Sequence, residues 1–192
     1  YPSRGWNAYH VVYQDAQRWL KEGIHDALFP MMYFQGNNFY PFALDWKEND
    51  GKRWIIPGLG IYFLSPREQD WPLDEIVRQI HFTRQIKLNG QAYFRNRFLL
   101  DNTKGVLDEL EENFYTYPAL IPPMTWSDSI PPSVPSHPSV QQIANGKLRM
   151  SWQASADNSN QSVVYHLYGS DTYPVDIKQP QNLIANQLIA NE

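Results

Sequence analysis

"HDALFPMMYFQGNNFY" (residues 25–40) decides how the chain is read. After Asp26 the run holds almost no polar side chain until Gln35, then gives way to Gln, Gly and Asn. A run that does not alternate predicts a strand covered on both faces, as in a parallel sheet, rather than one with a wet face. Asp26 then stands at the strand's entrance in a structural role. Tyr33 and the QGNN segment stand at its exit, where parallel α/β folds gather their functional groups.

Working outward, residues 6 to 22 place Trp6, Tyr9, Val12, Ala16, Trp19 and Leu20 close to helical period, and Gly23 sits where a C′ glycine ends a helix. Residues 35 to 53 read as a polar loop with interspersed aromatics. "RWIIPGLGIYFL" (53–64) is a second buried strand whose Gly58 and Gly60 predict close backbone approach. "DWPLDEIVRQIHFTRQIKLNG" (70–90) predicts a helix with Pro and acids in its first turn, Ile76, Ile80 and Ile86 on one stripe and Gly90 at its end. "GQAYFR" (90–95) is a third strand, and Leu107, Leu110 and Phe114 predict a short helix over 104–113. Helices alternating with buried strands near 27–34, 55–63 and 91–95 argue for parallel βα units.

From Pro118 the chain becomes Pro-dense, ending "IPPSVPSHPSV", which predicts a stiff linker, placed at 131–138. Beyond it the period changes to two. Leu148, Met150 and Trp152 alternate with Lys147, Arg149 and Ser151, and "SVVYHLYGS" (162–170) follows an Asp-Asn-Ser-Asn turn. The segment 139–192 therefore reads as the early strands of a β-sandwich with Trp152 as core anchor, about half of the roughly 100 residues a full sandwich takes. With no Met at "YPSRGW" and an apolar pattern still running at "NQLIANE", the sequence reads as a fragment at both ends.

Of the 192 residues, 42% are apolar and 15% aromatic, enough for a sizeable core. A net charge of −4 offers no basic footprint, so nucleic acid and anionic membrane surfaces are poor candidates for a partner. No apolar run spans a bilayer, and the absence of Cys leaves the redox compartment unmarked. The five His are scattered, so no metal site or cofactor is expected; "GLG" (58–60) lies inside a strand and is no phosphate loop, and there is no GxSxG elbow. Glycosidic cleavage needs two carboxyl groups about 5 to 9.5 Å apart. The strand ends "MMYF", "IYFL" and "AYFR" supply none, leaving the loop acids Asp45, Glu68, Asp70 and Asp128, which also fit solvated turns and helix caps. The aromatic excess with near-balanced charge suits sugar binding, although any single ring can equally fill a core.

"GWNAYHVVYQDAQRWLKEGIHDALFPMMYF", "GLGIYFL", "GQAYFRNRFLLDNTKG" and "YPALIPPMTW" closely resemble the C-terminal half of the glycosyl hydrolase-like 10 family, formerly domain of unknown function 187. The likeness covers residues 5 to 130, and the tail, with "LRMSWQAS" and "VVYHLYGSDTYPVD", resembles part of the fibronectin type III-like domain of Bacteroidetes members. The resemblance implies an α/β chain: the C-terminal part of a TIM-type (β/α)8 barrel over 1–130, then a partial fibronectin type III-like sandwich over 139–192. It implies a bacterial cell-envelope glycoside hydrolase, periplasmic or an outer-membrane lipoprotein, acting on peptidoglycan or a related amino-sugar polysaccharide. The three strands map onto the last three of the barrel, so the catalytic acids are expected upstream of Tyr1, in the missing half.

By a looser likeness, "PMMYF" is similar to the Met-x-Tyr-Asp strand of chitinase-like barrels, giving Met31 and Tyr33 sugar-facing roles; Phe34 in place of the Asp puts substrate-assisted chemistry in doubt. The candidate substrate-binding residues are Met31, Tyr33, Trp46, Tyr62, Arg95 and Trp126. Trp46 and Trp126 could instead pin loops to the barrel. A non-catalytic glycan-binding or structural envelope module is the alternative reading.

Overall fold

The computed structural model describes residues 7–159 and 162–189. The chain divides into two compact units, Tyr1–Thr116 and Tyr117–Glu192. Among the described residues the last deeply buried apolar side chain is Phe114.

The first unit opens with two short helices, α1 (Ala8–Val12) and α2 (Ala16–Lys21), where the periodicity predicted one. Tyr13 takes a left-handed conformation, and the Asp15 carboxylate accepts the Arg18 N–H, capping a new helix start. Trp6, the first position of that pattern, lies outside the described residues. Gly23 ends α2 as expected: its φ is +70, its N–H donates to Leu20 O and the Ile24 N–H donates to Trp19 O, which is the Schellman arrangement.

Three extended runs then pair in parallel. β1 (Ala27–Leu28) pairs with β2 (Trp54–Ile55), β3 (Gly58–Leu59) pairs with β4 (Ala92–Tyr93), and a bridge from Met31 to Gly58 joins the two ladders. Each ladder is shorter than the sequence predicts, and proline is the reason. Pro30 and Pro57 lack the N–H that would continue the pairing, although their carbonyls still accept from Gly58 and Ala92 at 2.8 and 3.0 Å. The predicted strand also stops at Gly60, since Ile61–Leu64 folds into a 3-10 turn.

One face of these runs carries the core. Ile55, Leu59 and Ile61 are fully buried there against Leu20, Phe39, Ala43, Ile76 and Ile80, each Leu, Ile or Phe side chain stabilising by roughly 1.5 to 3 kcal/mol. Two helices supply the cover. α3 (Tyr40–Glu48) occupies what reads as loop, its start marked by Pro41, with Phe39, Ala43 and Trp46 at helical spacing against the core. α4 (Leu73–Gln85) forms where a helix is predicted, burying Ile76, Ile80 and Thr83 but also Glu75 and Gln79, and it ends before the expected Gly90, at Ile86, where Lys87 takes a positive φ of 59. α5 (Arg97–Leu100) and α6 (Val106–Glu109), the latter continuing as one wide turn to Phe114, close the unit.

The other face is not buried, so the first strand is not covered on both sides. Phe29 and Met31 are 60% and 68% exposed, and among the described residues no backbone hydrogen bond reaches either.

The second unit holds two antiparallel pairs. β5 (Ser136–Gln142) pairs with β6 (Leu148–Gln153) through a turn in which Asn145 and Gly146 both have positive φ, and β7 (Val164–Tyr168) pairs with β8 (Leu183–Ile189). β5 takes up the end of the predicted linker. Trp152 packs at 5.4 Å on Tyr165, whose hydroxyl accepts the Ser155 N–H at 2.7 Å. Leu148 and Met150, expected inside with Trp152, are exposed, because a two-stranded ribbon has no second layer over that face.

Candidate functional site

The register builds the site. Met31 lies opposite Gly58, which lies opposite Ala92, and Leu59 lies opposite Tyr93. One step further along the strands, Tyr33 and Phe94 flank Gly60. Side chains of the outer two runs can meet only if the middle position has no Cβ. They do meet: the Tyr33 and Phe94 rings stack at 5.2 Å and 15°. A Cβ built on Gly60 would lie 3.1 Å from Tyr33 Cβ, and one on Gly58 would lie 3.1 Å from Tyr33 Cε1, so both glycines allow the close approach predicted for them.

Tyr62, delivered by the 3-10 turn after Gly60, stands edge-on to both rings, 5.8 Å from Tyr33 and 5.6 Å from Phe94. These are the offset and perpendicular geometries that ring quadrupoles favour. Phe63 continues the row from Tyr62 to Trp71. Burial raises the Tyr33 phenol above its ordinary pKa, helped by Tyr62. Burial likewise raises Tyr62, with Glu68 acting in the same direction and Arg95 against it. Both phenols therefore stay protonated at neutral pH, each able to donate and accept one hydrogen bond.

Arg95 follows Phe94 directly. Its guanidinium lies 5.5 Å from the centre of the Phe98 ring, is exposed, and forms no ion pair with a carboxylate among the described residues. The structure thus brings Tyr33 and Tyr62 together with Phe94 past the exits of the parallel strands, while Arg95, next in sequence, rests at Phe98. Met31 lies one step earlier on the same open face. Trp46 is placed differently, on α3 and packed against the buried core. Trp126 belongs to the second unit, half-buried in a turn where the Ser127 N–H donates to Met124 O.

The loop acids have other employment. Asp70 pairs with Lys104 at 2.6 Å, Asp45 lies on α3 rather than in a loop and accepts from Gln17 at 3.3 Å, and Asp128 accepts the N–H of Ile130. Glu68 acts on the cluster through Tyr62, whose phenol its charge helps to raise. The cluster presents apolar ring faces and two phenol hydroxyls.

Sequence reading missed a buried carboxylate. Glu75, 5% exposed, accepts from Tyr40 Oη at 3.3 Å, Gln79 Nε2 at 2.9 Å and Arg78 at 2.9 Å. Gln79 also donates to Phe34 O at 2.9 Å, tying α4 to the exit of the first strand. The signal was available, since Glu75 and Gln79 are four apart beside Ile76 and Ile80 on the buried stripe.

The chain is 28% identical over 193 residues to "Glycosyl hydrolase YngK" of Bacillus subtilis (strain 168), an alignment covering 96% of this chain and 37% of that protein. The chain therefore spans little more than a third of the relative's length. No protein-family model matches it, and no solved structure matches it. What the alignment establishes is a glycosyl hydrolase-like relationship across nearly the whole chain.

Proposed function

We propose that the chain is the C-terminal portion of a bacterial cell-envelope glycoside hydrolase, and that the Tyr33, Tyr62 and Phe94 rings form a subsite for an amino-sugar glycan of the peptidoglycan kind. The first unit then supplies the last three βα units of a (β/α)8 barrel, the second unit part of a fibronectin type III-like domain, and the catalytic carboxylates come from units upstream of Tyr1. The parent is a periplasmic protein or an outer-membrane lipoprotein. The observation that carries the reading is a ring cluster at the exits of three parallel strands, in a chain related to a glycosyl hydrolase. An aromatic face buries the apolar face of a sugar while leaving its hydroxyls free to hydrogen-bond. The open face carrying Phe29 and Met31 supports the barrel assignment, because such a face is the interior when further strands close around it.

A non-catalytic glycan-binding module is the second reading, favoured by the employment of Asp45, Asp70 and Asp128 elsewhere. Release of reducing ends from peptidoglycan glycan strands separates the two. A protein carrying the upstream units should release them, and the 192-residue chain alone should not. Turnover by the chain alone, abolished by Asp45→Asn, Asp70→Asn or Asp128→Asn, would place the acids in these loops and overturn the assignment. Inactivity of both proteins would favour the binding module.

A further inference from the structure

Tyr33 lies just past the last ladder bond of its run, in which the Met32 N–H donates to Gly58 O at 3.0 Å, so the sheet does not fix the aim of its ring. Two other contacts hold the backbone there. The Phe34 N–H donates to Met32 O at 3.0 Å, closing a three-residue turn centred on Tyr33, and the Phe34 carbonyl accepts from Gln79 Nε2 at 2.9 Å. Gln79 is fully buried on α4, and its amide nitrogen also donates to the Glu75 carboxylate at 2.9 Å. Both partners accept, so the NH2 end faces them and the amide oxygen faces away. That oxygen finds no donor among the described residues. For stability alone, glutamine is a poor choice at this position. Burying an amide with its oxygen unpaired is costly, whereas an apolar side chain would continue the stripe of Ile76 and Ile80. What the amide does that an apolar side chain cannot is grip the Phe34 carbonyl. Local rules of this kind are broken where a site needs a fixed geometry.

Resting on the glycan-binding reading above, we propose that Gln79 is a positioning residue for the ring subsite: through the Phe34 carbonyl it fixes the turn at Tyr33 and so holds the Tyr33 ring stacked on Phe94. Being fully buried, Gln79 touches no sugar, and its effect passes through Tyr33. Glu75 supports it from behind. That carboxylate accepts from Gln79, Tyr40 and Arg78 together, which keeps the amide directed at Phe34. A ring held in place before the sugar arrives loses less freedom on binding, and that is the gain set against the buried, unpaired oxygen.

The test follows the Tyr33 ring itself by nuclear magnetic resonance of the 192-residue chain with isotope-labelled tyrosines, Tyr33 being assigned from the spectrum of Tyr33→Phe. The Phe94 ring, stacked at 5.2 Å and 15°, should displace the Tyr33 ring protons upfield. Gln79→Met, unbranched like glutamine and without a donor, should lose that displacement and weaken binding of an N-acetylglucosamine oligomer toward the affinity of Tyr33→Ala, while urea unfolding shows the fold retained. Gln79→Lys, which puts a donor back at that reach, should recover both signals. Tyr40→Phe removes a hydrogen bond from Glu75 without touching the Phe34 contact, so it should lower stability and leave the Tyr33 displacement where it was. A Gln79→Met chain that keeps the displacement, or that fails to fold, would overturn the proposal, as would a folded Gln79→Lys chain that does not recover it. Loss of the displacement with affinity unchanged in both Gln79→Met and Tyr33→Ala would overturn the glycan reading and leave the hold of Gln79 on the ring standing.

Discussion

Tyr33 and Phe94 follow extended runs that do not pair with each other, yet their rings stack at 5.2 Å across Gly60, which follows the run between them. The contact exists because the middle strand omits a side chain at the one position where it would intervene. Gly60 has φ −83, a conformation open to any residue, so the rings and not the backbone hold that position to glycine.

Gly60→Ala should therefore cost about 1 to 3 kcal/mol, the range of overpacking a tight site, because the new methyl meets Tyr33 Cβ at 3.1 Å and Phe63 Cδ2 at 3.2 Å. Urea unfolding measures the loss, and near-ultraviolet circular dichroism should report altered aromatic packing. A variant with both signals unchanged would mean that the stack accommodates a methyl freely.

Glu75 braces α4 to α3 through Tyr40 and holds Gln79, which in turn donates to the Phe34 carbonyl. Glu75→Leu strands the Tyr40 hydroxyl and one Gln79 N–H, which should cost about 1 to 3 kcal/mol. Glu75→Gln keeps an acceptor oxygen and should lose less. Denaturation midpoints of the two variants check the order; equal losses would show that charge rather than hydrogen bonding holds the brace.

Trp46 packs on the core from α3, so Trp46→Ala should destabilise by roughly 2 to 4 kcal/mol, a large-to-small loss tempered by partial exposure. Glycan affinity of the folded variant should be unchanged. Weakened binding without lost stability would return Trp46 to the subsite.

The parallel pairing and the glycine approach were legible because both depend on local chemistry: unbroken apolar runs, and residues without a Cβ inside them. Strand length was less so, since Pro30 and Pro57 remove single ladder bonds whose place depends on register. α3 was hidden by its polar residues although Pro41, Ala43 and Trp46 carry the helical signal, and the Asn145–Gly146 turn was overlooked. For the candidate site, the positions of Tyr33 and Tyr62 beside one another followed from strand ends, which sequence order fixes. Phe94 was missed because its role lies in reaching across another strand, a relation that appears only once the register is known.

Burial raises the Tyr93 phenol above its ordinary value near 10, reinforced by the hydroxyl contact with Tyr115 at 3.2 Å. The folded state then holds this proton more tightly than the unfolded chain. The resulting stability is fully present below pH 10 and is lost progressively as pH rises above it. Tyr93→Phe should flatten that decline in the urea midpoint between pH 9 and 11. An equally steep decline would assign it to other groups.

The most direct measurement is the affinity of the chain for an N-acetylglucosamine oligomer with and without the Tyr33 ring, each variant's stability being recorded alongside. The account predicts that Tyr33→Ala weakens binding by roughly 1 to 3 kcal/mol, the scale of uncovering one large apolar side chain. Unchanged affinity accompanied by lost stability would contradict it and make the ring cluster a piece of core.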